Sequence, residues 1–233
     1  SFPNFLDVIK NMNKWKKKIK KFLKVAIDSP AAAGAGTQAR LISKHYNLLQ
    51  LDTGLCYRFI ANIKLLEPYK FNYKYIKKKI DKLKIKDLKN KKLLSNKVAI
   101  TASKIAKDKK IRKLIHAFQL ECAYNPPKKY NGSCLDGRDI CSTIVPDADI
   151  KLFITANLKT RAKRRYKELK AKNNKISYEE VLKSVKNRDK SDINRKISPL
   201  KKTNDSILIN TTNLSIRRCF FKIKKIIDRK IYN

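Results

Sequence analysis

Four arginine-bearing stretches and one small-residue loop hold the side chains most suited to chemistry in this chain. The stretches are Tyr57-Arg58, Asp136-Gly-Arg138-Asp139, Arg161-Ala-Lys-Arg-Arg165, and Arg188 to Arg195 with Asp192 between. Guanidinium groups are planar and permanently charged, which suits two-pronged binding of phosphate oxygens. The loop is Asp28-Ser29-Pro30-Ala31-Ala32-Ala33-Gly34-Ala35-Gly36-Thr37. Small residues let backbone N–H groups turn inward around a phosphate, and a helix beginning behind them adds positive potential. Thr37 could support a magnesium hydration shell or a phosphate. In the usual phosphate-loop pattern, G-x-x-x-x-G-K-[ST], a glycine stands where this chain has Ser29 and a lysine where it has Ala35.

Each piece also has a plainer reading. The loop is equally an Ala/Gly turn capping a helix, and Arg188 to Arg195 a solvated mixed-charge helix face. Asp136-Gly-Arg-Asp139 is equally a turn in which Gly137 supplies a positive φ. Arg161 to Arg165 merges with the general basic excess.

The elements around these residues decide whether they can meet. Phe22 to Ile27 is a short apolar run, as expected of a buried parallel strand entering the loop, and helical periodicity begins at Thr37. Residues 60–100, broken by Pro68, read as short helices or a small helical insertion. Ile105, Ile111, Leu114, Ile115 and Phe118 predict a helix over 101–120, and 125–132 reads as a loop. Strands are predicted at 133–135, 150–155 and 206–210. Helices are predicted at 159–172 and 177–187, joined by a turn at 172–175, and from Ser215 onward, where Ser215 is the N-cap or simply precedes the helix. Strands separated by helical crossovers imply a parallel sheet covered on both faces.

Composition narrows the classes. The chain has 233 residues and 42% hydrophobic residues, enough for one α/β domain with an insertion or lid. Five cysteines (Cys56, Cys122, Cys134, Cys141, Cys219) lack metal-ligand spacing, and His45 and His116 stand far apart, so free thiols in a reducing compartment are expected. No apolar run is long enough to span a bilayer, and the N-terminus does not resemble a secretory signal. Met12 is the only methionine, so residues 1–11 read as an upstream extension or a fragment boundary. The net charge of +39 would attract any polyanion. Its lysines are scattered among Ile and Asn, a pattern read here as a solvated basic surface from compositional drift.

Taken together, the loop, Leu51-Asp-Thr-Gly-Leu-Cys-Tyr-Arg58, Asp136-Gly-Arg-Asp-Ile140, Pro146-Asp-Ala-Asp-Ile-Lys151 and Arg188 to Arg195 resemble the bacterial cytidylate kinases in order and approximate spacing. The resemblance runs from about Val25 to the C-terminal helix. It implies a three-layer P-loop NTPase-like α/β fold: a parallel sheet with helices on both faces, a helical monophosphate-binding insertion at 59–100 and a mobile lid at 157–198. These lie in a kinase domain of residues 24–233, behind a basic N-terminal extension of residues 1–23.

The resemblance also implies roles. Ser29, Pro30, Ala31, Ala32, Ala33, Gly34, Ala35, Gly36 and Thr37 would hold the ATP phosphates. Arg58 and Arg138 would grip the monophosphate, with Thr53 facing the nucleotide. Ser103, Arg112 and Asp139 would read cytosine, while Arg188, Asp192 and Arg195 would hold ribose and phosphates. Arg161 and Arg165 would stabilise the transferring phosphoryl group, with Arg138 and Arg195 acting from the CMP side, and Asp136 would hold Mg²⁺ through water. The implied reaction converts ATP and CMP (or dCMP) to ADP and CDP (or dCDP) in pyrimidine metabolism, in a cytoplasmic monomer without a membrane or specific nucleic-acid partner. Two alternatives stand beside it: a kinase homologue that binds nucleotide without turnover, because Ala35 replaces the lysine, and a basic nucleic-acid-binding protein. A further departure is Cys141-Ser142, where the family usually has Gly-Thr.

Overall fold

The computed structural model describes residues 22–171 and 175–232, with Asn96 described by its backbone alone. The expected extension at 1–23 and the turn at 172–175 fall largely outside these residues. The described chain forms a parallel five-stranded sheet in the order β2-β3-β1-β4-β5. The strands are β1 (Leu23–Asp28), β2 (Leu49–Asp52), β3 (Gly132–Gly137), β4 (Ile150–Thr155) and β5 (Ile207–Asn210). Interior strand β3 is buried at every position, as a strand covered on both faces must be. Strand β2 is absent from the sequence reading because Leu-Gln-Leu-Asp at a sheet edge is too short to display a period.

Helix α1 (Ala35–Tyr46) follows β1, and α2 (Thr53–Leu66) follows β2. Next come α3 (Tyr73–Asp81), 3₁₀ turns at Ile85–Lys89 and Lys91–Leu94, and α4 (Asn96–Ile105). Helix α5 (Lys109–Tyr124) precedes β3. The single helix predicted over 101–120 is two, because the Asp108 carboxylate accepts from the N–H groups of Lys110 and Ile111 and begins α5 afresh. After β4 come α6 (Leu158–Lys170) and α7 (Tyr178–Asn194). A Ser177–Glu180 capping box starts α7, which runs past the predicted end and includes Arg188 and Asp192. Helix α8 (Ile216–Tyr232) closes the chain, with the Ser215 hydroxyl accepting from the Arg218 N–H in the manner of a cap.

Two apolar cores sandwich the sheet. Ala39 and Ile42 of α1 and Ile223 and Ile227 of α8 cover one face. Ile60 of α2, Ile76 of α3, Val98 of α4 and Ile115 of α5 cover the other. The expected three-layer α/β class is the one observed. In such sheets ligands bind beyond the carboxyl ends of the strands, where the strand order reverses. Here those ends are Asp28 and Gly137, register partners on adjacent β1 and β3.

Candidate active site

The small-residue loop joins β1 to α1. Gly34, the residue preceding α1, has φ 95°, and no side chain caps the helix. That leaves the first N–H groups and the positive end of the helix dipole available to an anion. Ala32 also has positive φ, 59°. The outward carbonyls of the loop are held: Arg161 Nη1 donates to Ala31 O at 3.1 Å, and the Thr211 hydroxyl to Ala33 O at 2.9 Å. Arg164 Nη1 lies 3.4 Å from Ala33 O and donates to the Thr211 hydroxyl at 2.9 Å, while Nη2 donates to Thr211 O at 2.7 Å. Ala35, in place of the lysine, is buried against the α1 core.

The turn after β3 carries Arg138 and Asp139. Buried Asp28 accepts from the N–H groups of Ile140 (2.7 Å) and Cys141 (2.9 Å), which fixes the turn against β1. Burial outweighs those two bonds and pushes the Asp28 carboxyl up to about 6. Ser29 N–H donates to Gly137 O, so the loop and the turn are directly joined. Gly137 does not have the positive φ expected of it. It is glycine for space: a Cβ there would stand 2.3 Å from Thr53 Oγ1. The Thr53 hydroxyl donates to Asp136 O at 2.9 Å, and the Asp52 carboxylate caps α2 through the Gly54 N–H.

Guanidinium groups from four separate elements meet beside this turn. Arg58 Nη1 (α2) donates to Leu93 O at 2.9 Å. Arg138 Nε donates to Asp192 Oδ2 at 2.7 Å, and Arg188 Nε lies 3.9 Å from the same oxygen. Arg165 on α6 pairs with Glu168 at 2.9 Å. Desolvation lowers the pKa of Arg58; Arg165 and Arg138 add to this while Asp52 opposes it. Arg188 is pushed down to about 10 by desolvation, then by Arg138, Arg58 and Arg165, although 42% of its side chain stays exposed. Cations crowded this way are relieved by a polyanion.

A second cluster adjoins the first. Arg112 Nη2 donates to Asp139 Oδ2 at 2.6 Å, Nη1 to Ala106 O at 3.2 Å, and the guanidinium lies over the Tyr57 ring. Arg195 Nη2 lies 3.9 Å from Asp139 Oδ1, and Nε donates to Ser198 O at 2.6 Å. Among the described residues Arg195 Nη2 is buried without a hydrogen-bond partner. A cleft of about 370 Å³ opens on Arg112, walled by Tyr57, His116, Leu120, Ile144 and Ile197.

The structure therefore gathers Arg58, Arg138, Arg165, Arg188 and Asp192, and beside them Arg112, Asp139 and Arg195. It does not bring Ser103 to them by any contact: that residue is exposed on α4 and its hydroxyl donates to Ile100 O. Arg161 is committed beside the loop, buried in a two-pronged pair with Asp189 (2.9 and 2.5 Å). Asp189, Arg164 and Thr211 escaped the sequence reading. The first two lie inside charge runs that name no partner, and Thr211 carries no signal at all.

Among the described residues no helix is long and apolar enough to cross a membrane. The chain is 44% identical over 201 residues to a protein named cytidylate kinase from Bartonella tribocorum, covering 84% of this chain and 90% of that one. It is 37% identical over 217 residues to one of the same name from Thermosipho melanesiensis, covering 89% and 97%. A crystal structure of an uncharacterized protein from Eubacterium ventriosum has a TM-score of 0.53 at 18% identity, over 88% of this chain and 98% of that one, and supports the fold alone. The family model described as cytidylate kinase matches residues 25–229. With that match and these relatives added to the sheet and the gathered arginines, the chain belongs to the cytidylate kinase family of nucleoside monophosphate kinases.

Proposed function

We propose that this kinase transfers the γ-phosphoryl group of ATP to CMP and dCMP, giving ADP with CDP or dCDP. The observation that carries the reading is the meeting of Arg58, Arg138, Arg165 and Arg188 beside an uncapped helix start. The adjoining Arg112–Asp139 pair supports a pyrimidine: cytosine presents an amine donor next to ring acceptors, which a carboxylate and a guanidinium satisfy together. Ser103, exposed on α4 and without contact to that pair, would have to approach with α4 to accept from the amine as well. Asp192 and Arg195 would orient the ribose, and Thr53 would hold the floor of the site through Asp136 O.

In this reading Ser29 to Thr37 hold the ATP phosphates, and the CMP phosphate oxygen is aligned for in-line attack on the γ-phosphorus. The bond to the ADP oxygen breaks as the new one forms, without a covalent intermediate. Positioning and charge neutralisation supply most of the catalysis. Arg165 is the better substitute for the missing lysine, because the donors of Arg161 are committed to Asp189, Ala31 and Ala156. The residues fit Mg²⁺. Among the described residues Asp136 Oδ1 is buried without a hydrogen-bond partner, and Asp136 Oδ2 lies 3.6 Å from the position of a Cβ on Gly36 in the first turn of α1. Bound there through water, the ion would neutralise phosphate charge.

The proposed organisation is one kinase domain at 24–233, with residues 59–100 over the monophosphate and 157–198 as lid. It would act as a cytoplasmic monomer in pyrimidine nucleotide metabolism. A coupled assay of the purified chain with ATP and Mg²⁺ against CMP, dCMP, UMP and AMP tests the reading. ADP formation is expected to be fastest with CMP and dCMP. CMP binding without ADP release above background would instead establish the nucleotide-binding homologue that Ala35 favours.

A further inference from the structure

Arg161 is the most committed cation near the site. Its Nε donates to Ala156 O at 2.9 Å, Nη1 to Ala31 O and Asp189 Oδ1, and Nη2 to Asp189 Oδ2. The pair is nearly closed to water, with 7% and 17% of its side chains exposed, so its charges act with little screening. One end of the pair holds a phosphate-loop carbonyl. The other is rooted in α7 between Arg188 and Asp192, and Asp192 in turn accepts from Arg138 on the turn after β3. Asp189 and Asp192 both stand on α7, so one helix carries the partner of Arg161, which holds the loop, and the partner of Arg138, which belongs to the other cluster.

We propose that Arg161 and Asp189 are positioning residues that couple the two nucleotide sites. On this view, a filled phosphate loop steadies Ala31 and, through the pair, sets α7 so that Arg188 and Asp192 hold the monophosphate more tightly. The inference rests on the functional reading above. Coupling between two sites is reciprocal and is measured as a ratio of affinities.

Calorimetry gives that ratio for CMP with and without a non-hydrolysable ATP analogue and Mg²⁺. The native chain is expected to bind CMP roughly fivefold or more tightly with the analogue present, the lower end of common coupling factors. In Asp189→Asn, which keeps the shape and loses the charge, the ratio is expected to fall below about twofold. Its melting temperature is expected to fall, because Arg161 keeps a buried charge without its counter-ion, while its affinity for either nucleotide alone should change little. Arg161→Lys, which keeps charge but loses the planar fork, should lower the ratio in the same direction. A native ratio near one, or a ratio preserved in Asp189→Asn, overturns the coupling and leaves the kinase reading standing. So does a loss of both affinities in step with the melting temperature, which marks the pair as structural only. A native chain that binds neither nucleotide overturns the kinase reading, and this inference with it.

Discussion

Ala35 is the residue that most constrains the chemistry. A lysine there would carry a positive charge along with the phosphoryl group as it moves; a buried methyl cannot. Removing one transition-state charge costs about 10²–10³ in rate. Ala35→Lys is therefore expected to raise kcat by about 10- to 1,000-fold, measured as ADP release at saturating CMP. An unchanged rate would mean that Arg165 already supplies the missing charge in full. At this scale Arg58, Arg138 and Arg188 were legible in the sequence because their motifs state both type and spacing. Asp189 and Arg164 were not, since a charge run shows that ions are present and not which ones pair.

Among the elements, the turn after β3 does most of the positioning. Its geometry depends on Gly137, because Thr53 at the start of α2 and Ile140 beyond the turn press against it: a Cβ would stand 2.3 Å from Thr53 Oγ1 and 2.9 Å from Ile140 Cδ1. Gly137→Ala is accordingly expected to lower the unfolding free energy by about 1–3 kcal/mol, the usual cost of overpacking, seen as a lower urea midpoint. An unaltered midpoint would show that the turn yields at no cost. Read as a plain turn, this stretch offers backbone conformation as the reason for the glycine, and the structure gives space instead. Steric need from another element cannot be seen along one stretch of chain; the break at Asp108 is local instead, a cap that a continuous helical period conceals.

For the molecule as a whole, the sheet order sets the site. Placing β3 between β2 and β1 brings Asp28, Gly137 and the cap at Asp52 to one edge. Asp28 is buried there with a carboxyl pushed up to about 6 from an ordinary value near 3.8. Between those values the folded chain holds a proton that the unfolded chain has released. This contribution is therefore complete below about pH 4 and is lost as pH rises through 6. Two pH units correspond to about 3 kcal/mol. Comparing native chain and Asp28→Asn by urea denaturation cancels the other carboxylates. The native-minus-variant difference is expected to shrink by up to about 3 kcal/mol from pH 4 to pH 7.5. A constant difference would place the Asp28 pKa near its unfolded value.

The sequence by itself determined the class of fold, the small-residue loop between strand and helix with Ala35 near its end, and the arginine-bearing motifs, because hydrophobic period and local motif are properties of short stretches. Only the tertiary structure decided which carboxylates and carbonyls the guanidinium groups engage, that Arg161 is spent on Asp189 while Arg165 is not, and that Gly137 answers to Thr53. These are relations between residues tens of positions apart, and they exist only once the parallel sheet has set its strand order and brought the ends of β1 and β3 side by side.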